Sequence, residues 1–245
     1  MKYSYISLSE IGLKRKDNED SIGVFEIHGG TLFIVCDGLG GNKAGEVASQ
    51  ITVDTIYDVF KNSSIKDILE RIRVAIISAH KTVIEKSEAD FGLKGMATTA
   101  EVLFIKDYTA YWGHVGDSRI YLSRNGLLKL LTKDHSLVQK LVDEGYLTLK
   151  EAENHPNKNI IMQALGDGNF IDVELSKTRI NPEDFYMFLL CTDGVTTVIK
   201  NEELEKFLDD RVKNINQLSE EMKNLIIKRG APDNFSFIII SKKEN

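Results

Sequence analysis

Five aspartates draw attention through the residues around them: Asp20 ends Arg15-Lys16-Asp17-Asn18-Glu19-Asp20, Asp37 opens Asp37-Gly38-Leu39-Gly40-Gly41, Asp117 lies in His114-Val115-Gly116-Asp117-Ser118-Arg119, Asp193 in Cys191-Thr192-Asp193-Gly194, and Asp233 in Pro232-Asp233-Asn234. Apolar runs lead into Asp37 and Asp193 and away from Asp233, which puts these carboxylates at the rim of a core, where unpaired charge is costly. Carboxylates gathered there repel and raise one another's pKa unless cations neutralise them. The chain offers oxygen ligands and no His or Cys cluster at zinc spacing, so hard cations such as Mg²⁺ or Mn²⁺ suit it better than Zn²⁺. One Asp-Gly pair is more often a turn than a ligand. The metal chemistry therefore depends on convergence of the whole set.

Convergence requires elements that end near one another. Tyr3 to Leu8, Ser21 to Ile27 and Thr31 to Cys36 read as strands, with Gly29-Gly30 as a hairpin signal between the last two. From Ala44 the period turns helical: Ala44, Val47, Ala48, Ile51, Thr55 and Val59 share a face, and Ile65, Ile68, Leu69, Ile72, Ile76, Ala79 and Val83 repeat it after Asn62-Ser63-Ser64. Ala97 to Ile105, Tyr108 to Val115, Arg119 to Leu122 and Leu127 to Leu131 read as a meander with tight turns at Lys106-Asp107 and Asn125-Gly126. Between Asp134 and Asp172 the pattern weakens into short helical pieces, Ser136 to Glu144 and Thr148 to Asn154, a loop-rich flap.

Val173 to Arg179 and Phe185 to Cys191 return to strand, Ile215, Leu218, Met222, Leu225 and Ile226 mark a helix, and Phe235 to Ile240 is a strand apolar on both faces. Helices segregated from hairpin-linked strands predict an α+β fold, a four-layer α/β/β/α sandwich of two antiparallel sheets flanked by helices. One domain over 1–245 is expected, with the flap at about 134–172, because 245 residues can share one core. Cys36 and Cys191 each precede one of the aspartates, which predicts adjacent strands with buried, structural thiols. His114 is expected to pack or bond to backbone, and His135 to fix a turn or cap a helix.

Lys and Arg number 31 against 37 Asp and Glu, a formal charge of −6, without a basic stretch. That argues against a nucleic-acid partner. No apolar run approaches the ~20 residues of a membrane span. Charges at Glu10 and Lys14 to Lys16 interrupt any secretory leader, and two cysteines build no disulfide framework. A cytoplasmic protein is expected, monomeric in the absence of a heptad pattern.

Taken in order, the aspartates together with Gly45-Glu46-Val47-Ala48-Ser49, Gly95-Met96-Ala97-Thr98-Thr99, Asp134-His135-Ser136-Leu137-Val138, Asn154-His155-Pro156 and Ala164-Leu165-Gly166 resemble the metal-dependent protein serine/threonine phosphatases of type 2C, in their small bacterial form. The resemblance runs from about Ile6 to Ile240 and is carried by the joint order of the motifs. It implies hydrolysis of phosphoserine and phosphothreonine in proteins by a hydroxide between two Mg²⁺ or Mn²⁺ ions. It also implies a weaker third ion and a Ser/Thr protein kinase as functional counterpart.

The resemblance further implies roles for single residues. Asp37 would bridge the two ions, the Gly38 carbonyl would bind one of them, Asp193 and Asp233 would complete a shell, and Asp117 would hold the third ion together with Asp193. Asp20 and Glu19, with Asn18 and Asn234 beside them, would assist through waters. Arg15 would receive the substrate phosphate, since a guanidinium offers paired donors matched to phosphate oxygens. Leu39 stands where eukaryotic relatives carry a histidine, and Asn42 where many bacterial relatives have one, which leaves the general acid unassigned. A second reading is a catalytically silent relative that binds a phosphoprotein or kinase. The full carboxylate set speaks against it.

Overall fold

The computed structural model describes residues 3–27, 29–40, 44–209 and 214–242. Gly41, the last residue of the Asp37 motif, and Asn42 after it lie outside them. The strands are β1 (Tyr3–Glu10), β2 (Ser21–Ile27), β3 (Gly30–Cys36), β4 (Gly38–Leu39), β5 (Ala97–Thr98), β6 (Ala100–Lys106), β7 (Thr109–Val115), β8 (Arg119–Arg124), β9 (Leu127–Leu130), β10 (Glu174–Arg179), β11 (Tyr186–Cys191) and β12 (Phe235–Lys242). The helices are α1 (Ala44–Asn62), α2 (Ile68–Ala89), α3 (Leu137–Asp143), α4 (Leu149–Glu153), α5 (Asp193–Thr196), α6 (Asn201–Leu208) and α7 (Ile215–Lys228). Two five-stranded antiparallel sheets, ordered β10-β7-β6-β3-β2 and β1-β12-β11-β8-β9, carry the fold, and β4 and β5 form a separate ribbon.

Alternation along each strand divides the core into three interfaces. Leu32, Ile34, Val102 and Phe104 of the first sheet pack under Ile56, Phe60, Ile72 and Ile76 of α1 and α2. Phe33, Val35, Leu103 and Trp112 meet Phe188, Leu190, Ile238 and Ile240 between the sheets. Leu189, Phe237 and Ile239 face Leu204, Leu208, Leu218, Met222 and Ile226 of α6 and α7. The result is the expected four-layer sandwich, and β12 is buried on both faces because it lies between a sheet and a helical layer. Helix α2 starts at Ile68, three residues after the Ile65 at which the expected helical face begins, because Asp67 caps it: Asp67 Oδ1 accepts from the Glu70 N–H at 3.0 Å.

The structure corrects the expected organisation in four places. The strand expected over Ala97 to Ile105 is broken at Thr99, whose N–H donates to the Asp37 carbonyl at 2.9 Å, so that Ala97 and Thr98 pair with Leu39 and Gly38 instead. The expected meander is divided between the sheets: β7 belongs to the first and β8 to the second, with Gly116 at φ +118° in the crossover. Helix α6 was not anticipated, because Leu204, Phe207 and Leu208 are too few apolar positions in a charged octapeptide to display a period. Cys36 and Cys191 end strands in different sheets, and both thiols are buried in opposite helix-facing layers rather than side by side.

Candidate metal centre

Strand register brings the aspartates to one end of the sandwich. Ser21 pairs with Cys36, Ala100 with Val115, and Cys191 with both Phe237 and Arg119. Asp20, Asp37, Asp117, Asp193 and Asp233 therefore flank strand ends at the same edge, Asp20, Asp37 and Asp117 on the first sheet and Asp193 and Asp233 on the second.

Short polar residues hold Asp37, Asp20 and the loop that leads into Asp20. The Asp37 N–H donates to Thr99 Oγ1 at 2.9 Å, while Thr98 Oγ1 donates to the Asp37 carbonyl at 2.9 Å. Thr192 Oγ1 donates to Asp20 Oδ2 at 3.0 Å across 172 residues of sequence. Asn234 ties down the 11–19 loop: its Nδ2 donates to the carbonyls of Ile11 and Asp17, both at 2.9 Å, and its Oδ1 accepts from Glu19 N at 3.0 Å. Asn18 bonds Ser9 Oγ through Nδ2 and the Asp20 N–H through Oδ1. Asn18 and Asn234 are thus fasteners of the loop that presents Arg15, Glu19 and Asp20.

Two glycines are required by close approach. A Cβ at Gly38 would lie 2.3 Å from the Gly45 carbonyl oxygen and 2.4 Å from that of Glu19. At Gly194 it would lie 1.9 Å from the Asn234 carbonyl oxygen, which explains why Gly follows both Asp37 and Asp193.

The electrostatics are those of crowded carboxylates. Burial, followed by the charges of Asp20, Asp193, Asp117 and Asp233, pushes the Asp37 carboxyl well above the usual range. Asp20 and Asp117 are each pushed up to about 7, first by burial and then chiefly by Asp193 once hydrogen bonding is set aside. Asp193 is raised by burial and by Asp233, and its side chain is within hydrogen-bonding reach of Asp37. Glu19 is raised by burial and lies against Arg15 and the Gly45 N–H. At the rim, Arg15 Nη2 donates to Asp233 Oδ2 at 2.7 Å, and both side chains are partly exposed.

This donor set fits divalent cations. It is all oxygen, it is anionic beyond what Arg15 neutralises, and the glycine at position 38 keeps side-chain bulk away from the adjoining carbonyls. The convergence deduced as necessary from the sequence is realised for Asp20, Asp37, Asp117, Asp193 and Asp233, which appear in one another's electrostatic environment.

A second polar cluster, His114, His135 and Glu174, has ligand atoms within 4.8 Å of one another. Three of its four ring nitrogens are already engaged. His114 contacts Glu101 Oε1 through Nδ1 at 2.6 Å and the Lys133 carbonyl through Nε2 at 2.9 Å, and His135 Nδ1 accepts from the Gly116 N–H at 3.2 Å. Metal binding would break these bonds, so the cluster is a hydrogen-bonded support. Glu101 is the residue that sequence reading missed here, because a glutamate in an apolar strand carries no motif.

The sequence profile of protein phosphatase 2C matches residues 14–226. The chain belongs to this family. It is 34% identical over 239 residues to the serine/threonine phosphatase stp of Listeria monocytogenes, covering 94% of this chain and 92% of that one. Its fold superposes on the crystal structure of the Mycobacterium tuberculosis serine/threonine phosphatase PstP/Ppp with a TM-score of 0.89 at 30% identity, covering 99% of each chain. It is equally recognisable in the catalytic domain of PstP in complex with two manganese ions, with a TM-score of 0.85, 30% identity and coverage of 98% and 97%.

Proposed function

We infer that this protein is a divalent-metal-dependent phosphatase acting on phosphoserine and phosphothreonine in proteins. The observation that carries the reading is the end-of-sandwich carboxylate cluster, in which burial first and neighbouring carboxylates second raise Asp20, Asp37, Asp117 and Asp193, on a chain of the protein phosphatase 2C family.

In this reading Asp37, Asp193, Asp233 and the Gly38 carbonyl hold two ions, and Asp117 with Asp193 serves a weaker third. When bound, the ions supply positive potential for a phosphate dianion and acidify water to make a nucleophile near neutral pH. Asp20 and Glu19 add negative charge behind the ligands, Asp20 held in place by Thr192. Arg15 stands at the rim, and its guanidinium receives the substrate phosphate through N–H groups beyond the one donated to Asp233. No charged side chain of the chain itself needs to attack phosphorus. The two-manganese PstP complex supports two ions here, Mn²⁺ or Mg²⁺.

The loop-rich flap is the place where recognition of substrate proteins varies in this reading. A cavity of roughly 210 Å³ lies between Leu39 and Ala97 of the β4/β5 ribbon and Ile161, Gln163 and Asp167 of the flap. The ribbon and flap are tied by Thr98 and Leu165, whose backbones exchange hydrogen bonds of 3.0 and 2.8 Å. The same reading takes 1–245 as one catalytic domain, monomeric, cytoplasmic, and opposed to a Ser/Thr protein kinase. Among the described residues no helix is long and apolar enough to cross a membrane.

The test is hydrolysis of a phosphothreonine peptide after chelation, with Mn²⁺ or Mg²⁺ titrated back and Asp193→Ala in parallel. Release restored by metal in the native chain and absent from the variant is the expected result. A folded, Mn²⁺-binding protein that releases no phosphate from any phosphopeptide or phosphoprotein would overturn it.

A further inference from the structure

Glu101 and His114 are fully buried partners on adjacent strands β6 and β7, directly opposite in register. Their alternation matches that of Leu103 and Trp112, so both side chains point into the dry space between the sheets. His114 Nδ1 and Glu101 Oε1 are 2.6 Å apart. The other ring nitrogen meets the Lys133 carbonyl at 2.9 Å. A carbonyl only accepts, so Nε2 carries a proton. A single further proton then lies on the line between Nδ1 and Oε1.

Two observations assign that proton to Glu101. Its second oxygen, Oε2, is buried without a hydrogen-bond partner, which is tolerable for the carbonyl-like oxygen of a neutral acid and costly for a carboxylate. Burial, with Asp134, Glu174 and Asp117 adding negative potential, raises the Glu101 carboxyl well above its usual range, while burial also lowers His114. Both directions favour an uncharged acid donating to an uncharged imidazole.

The dyad is fastened to the base of the flap. The peptide at Lys133 is held on both sides: its carbonyl accepts from His114, and its N–H donates to Glu174 Oε2 at 3.2 Å. The next residue, Asp134, accepts from Arg119 Nε at 2.9 Å and from its Nη2 at 2.7 Å. His135 follows, its ring 4.5 Å from that of His114. Its N–H donates to the Gly116 carbonyl at 2.7 Å, its Nδ1 accepts from the Gly116 N–H at 3.2 Å, and its carbonyl accepts from the flap's Met162 N–H at 2.7 Å. One short segment thus joins the core to the turn bearing Asp117 and to the flap.

We propose that Glu101 and His114 form an uncharged buried dyad, Glu101 Oε1–H donating to His114 Nδ1, which acts as a positioning pair for the Gly116–Asp117 turn and the flap through Lys133 and His135. The part concerning metal response rests on the reading of Asp117 as a ligand. The proton assignment and the backbone anchoring stand apart from it.

The experiment combines ¹⁵N spectroscopy of the imidazoles at pH 7, amide hydrogen exchange, and metal titration of Glu101→Gln, Glu101→Leu and His114→Phe. The expected spectrum shows His114 as the Nε2–H tautomer, and a doubly protonated ring would overturn the neutral dyad. Glu101→Gln keeps a neutral donor to Nδ1 and retains native exchange and metal response. Glu101→Leu and His114→Phe speed exchange at Gly116 and Met162. They also raise the Mn²⁺ concentration for half-maximal hydrolysis of p-nitrophenyl phosphate by about tenfold, as loss of an outer-shell partner does, with a smaller effect on kcat at saturating Mn²⁺. Native exchange and metal response in both apolar variants would overturn the positioning role. If those variants fail to fold, Glu101→Gln decides it: loosened Gly116 and Met162 amides in that variant overturn the proposal, and native ones uphold it. A native chain without phosphatase activity would sink the proposed function yet leave the spectrum and the exchange data to judge the dyad.

Discussion

At one end of the sandwich, burial and the charges of neighbouring carboxylates raise Asp20, Asp37, Asp117 and Asp193, with Arg15 bonded to Asp233 at the rim. Further between the sheets, Glu101 is just as isolated from water, but it meets His114 at 2.6 Å across the strand pair. A buried carboxyl with a proton-sharing neighbour is a strut. Several buried carboxyls facing one another form a site, because the arrangement stays unfavourable until a multivalent cation enters. Burial alone therefore does not mark function; the partner does.

The sharpest test of this contrast removes a carboxylate from each region. Asp37→Asn or Asp193→Asn is expected to reduce metal-dependent hydrolysis by roughly a thousandfold or more. In the presence of chelator each should raise the melting temperature by about 2–4 °C per kcal/mol of repulsion relieved. Lower metal-free stability in Asp193→Asn would break the comparison, since its charge would then be paid for within the protein.

Metal binding gives the next largest effect. Mn²⁺ at about a hundred times its Kd should stabilise the native chain by about 2.7 kcal/mol in calorimetry. Asp193→Asn should lose most of that gain and Glu101→Gln none of it. A smaller effect is expected at the rim. Arg15→Lys keeps the charge but loses the paired guanidinium donors, so KM for a phosphopeptide should rise by about tenfold with little change in kcat. An unchanged KM would remove Arg15 from phosphate recognition.

A further effect is expected on pH dependence. His135 is lowered from 6.5 to about 4 by burial and then by His114. Its folded pKa thus lies below its unfolded one, and the unfolded chain takes up the proton first. The contribution is fully present above about 6.5 and is lost as pH falls toward 4. Thermal melts of His135→Gln should show a flatter dependence across that window, and an unchanged slope would mean that the ring next to the dyad can charge freely.

Much of this architecture was legible along the chain. Alternation in Ser21 to Ile27 located β2 to the residue, and the helical period from Ala44 located α1 and most of α2. Apolar runs ending in Asp37 and Asp193 placed those carboxylates at strand ends, where the structure has them. Periodicity failed where few residues carry it, as in α6, and where a hydrogen bond from another element intervened, as at Thr99. Nothing local distinguished Glu101 from its apolar neighbours in β6.

The sequence by itself determined which residues are acidic and where most of the strands and the long helices form. Those properties depend on side-chain chemistry and on periods of two and 3.6 residues, which a single segment contains. Tertiary structure decided the rest: Arg15 meets Asp233 across 218 residues, Thr192 meets Asp20 across 172, and Cys36 and Cys191 fall in different sheets. Such meetings depend on which strands pair and on how two sheets stack, and that is determined by packing the whole core together rather than by any segment's own pattern.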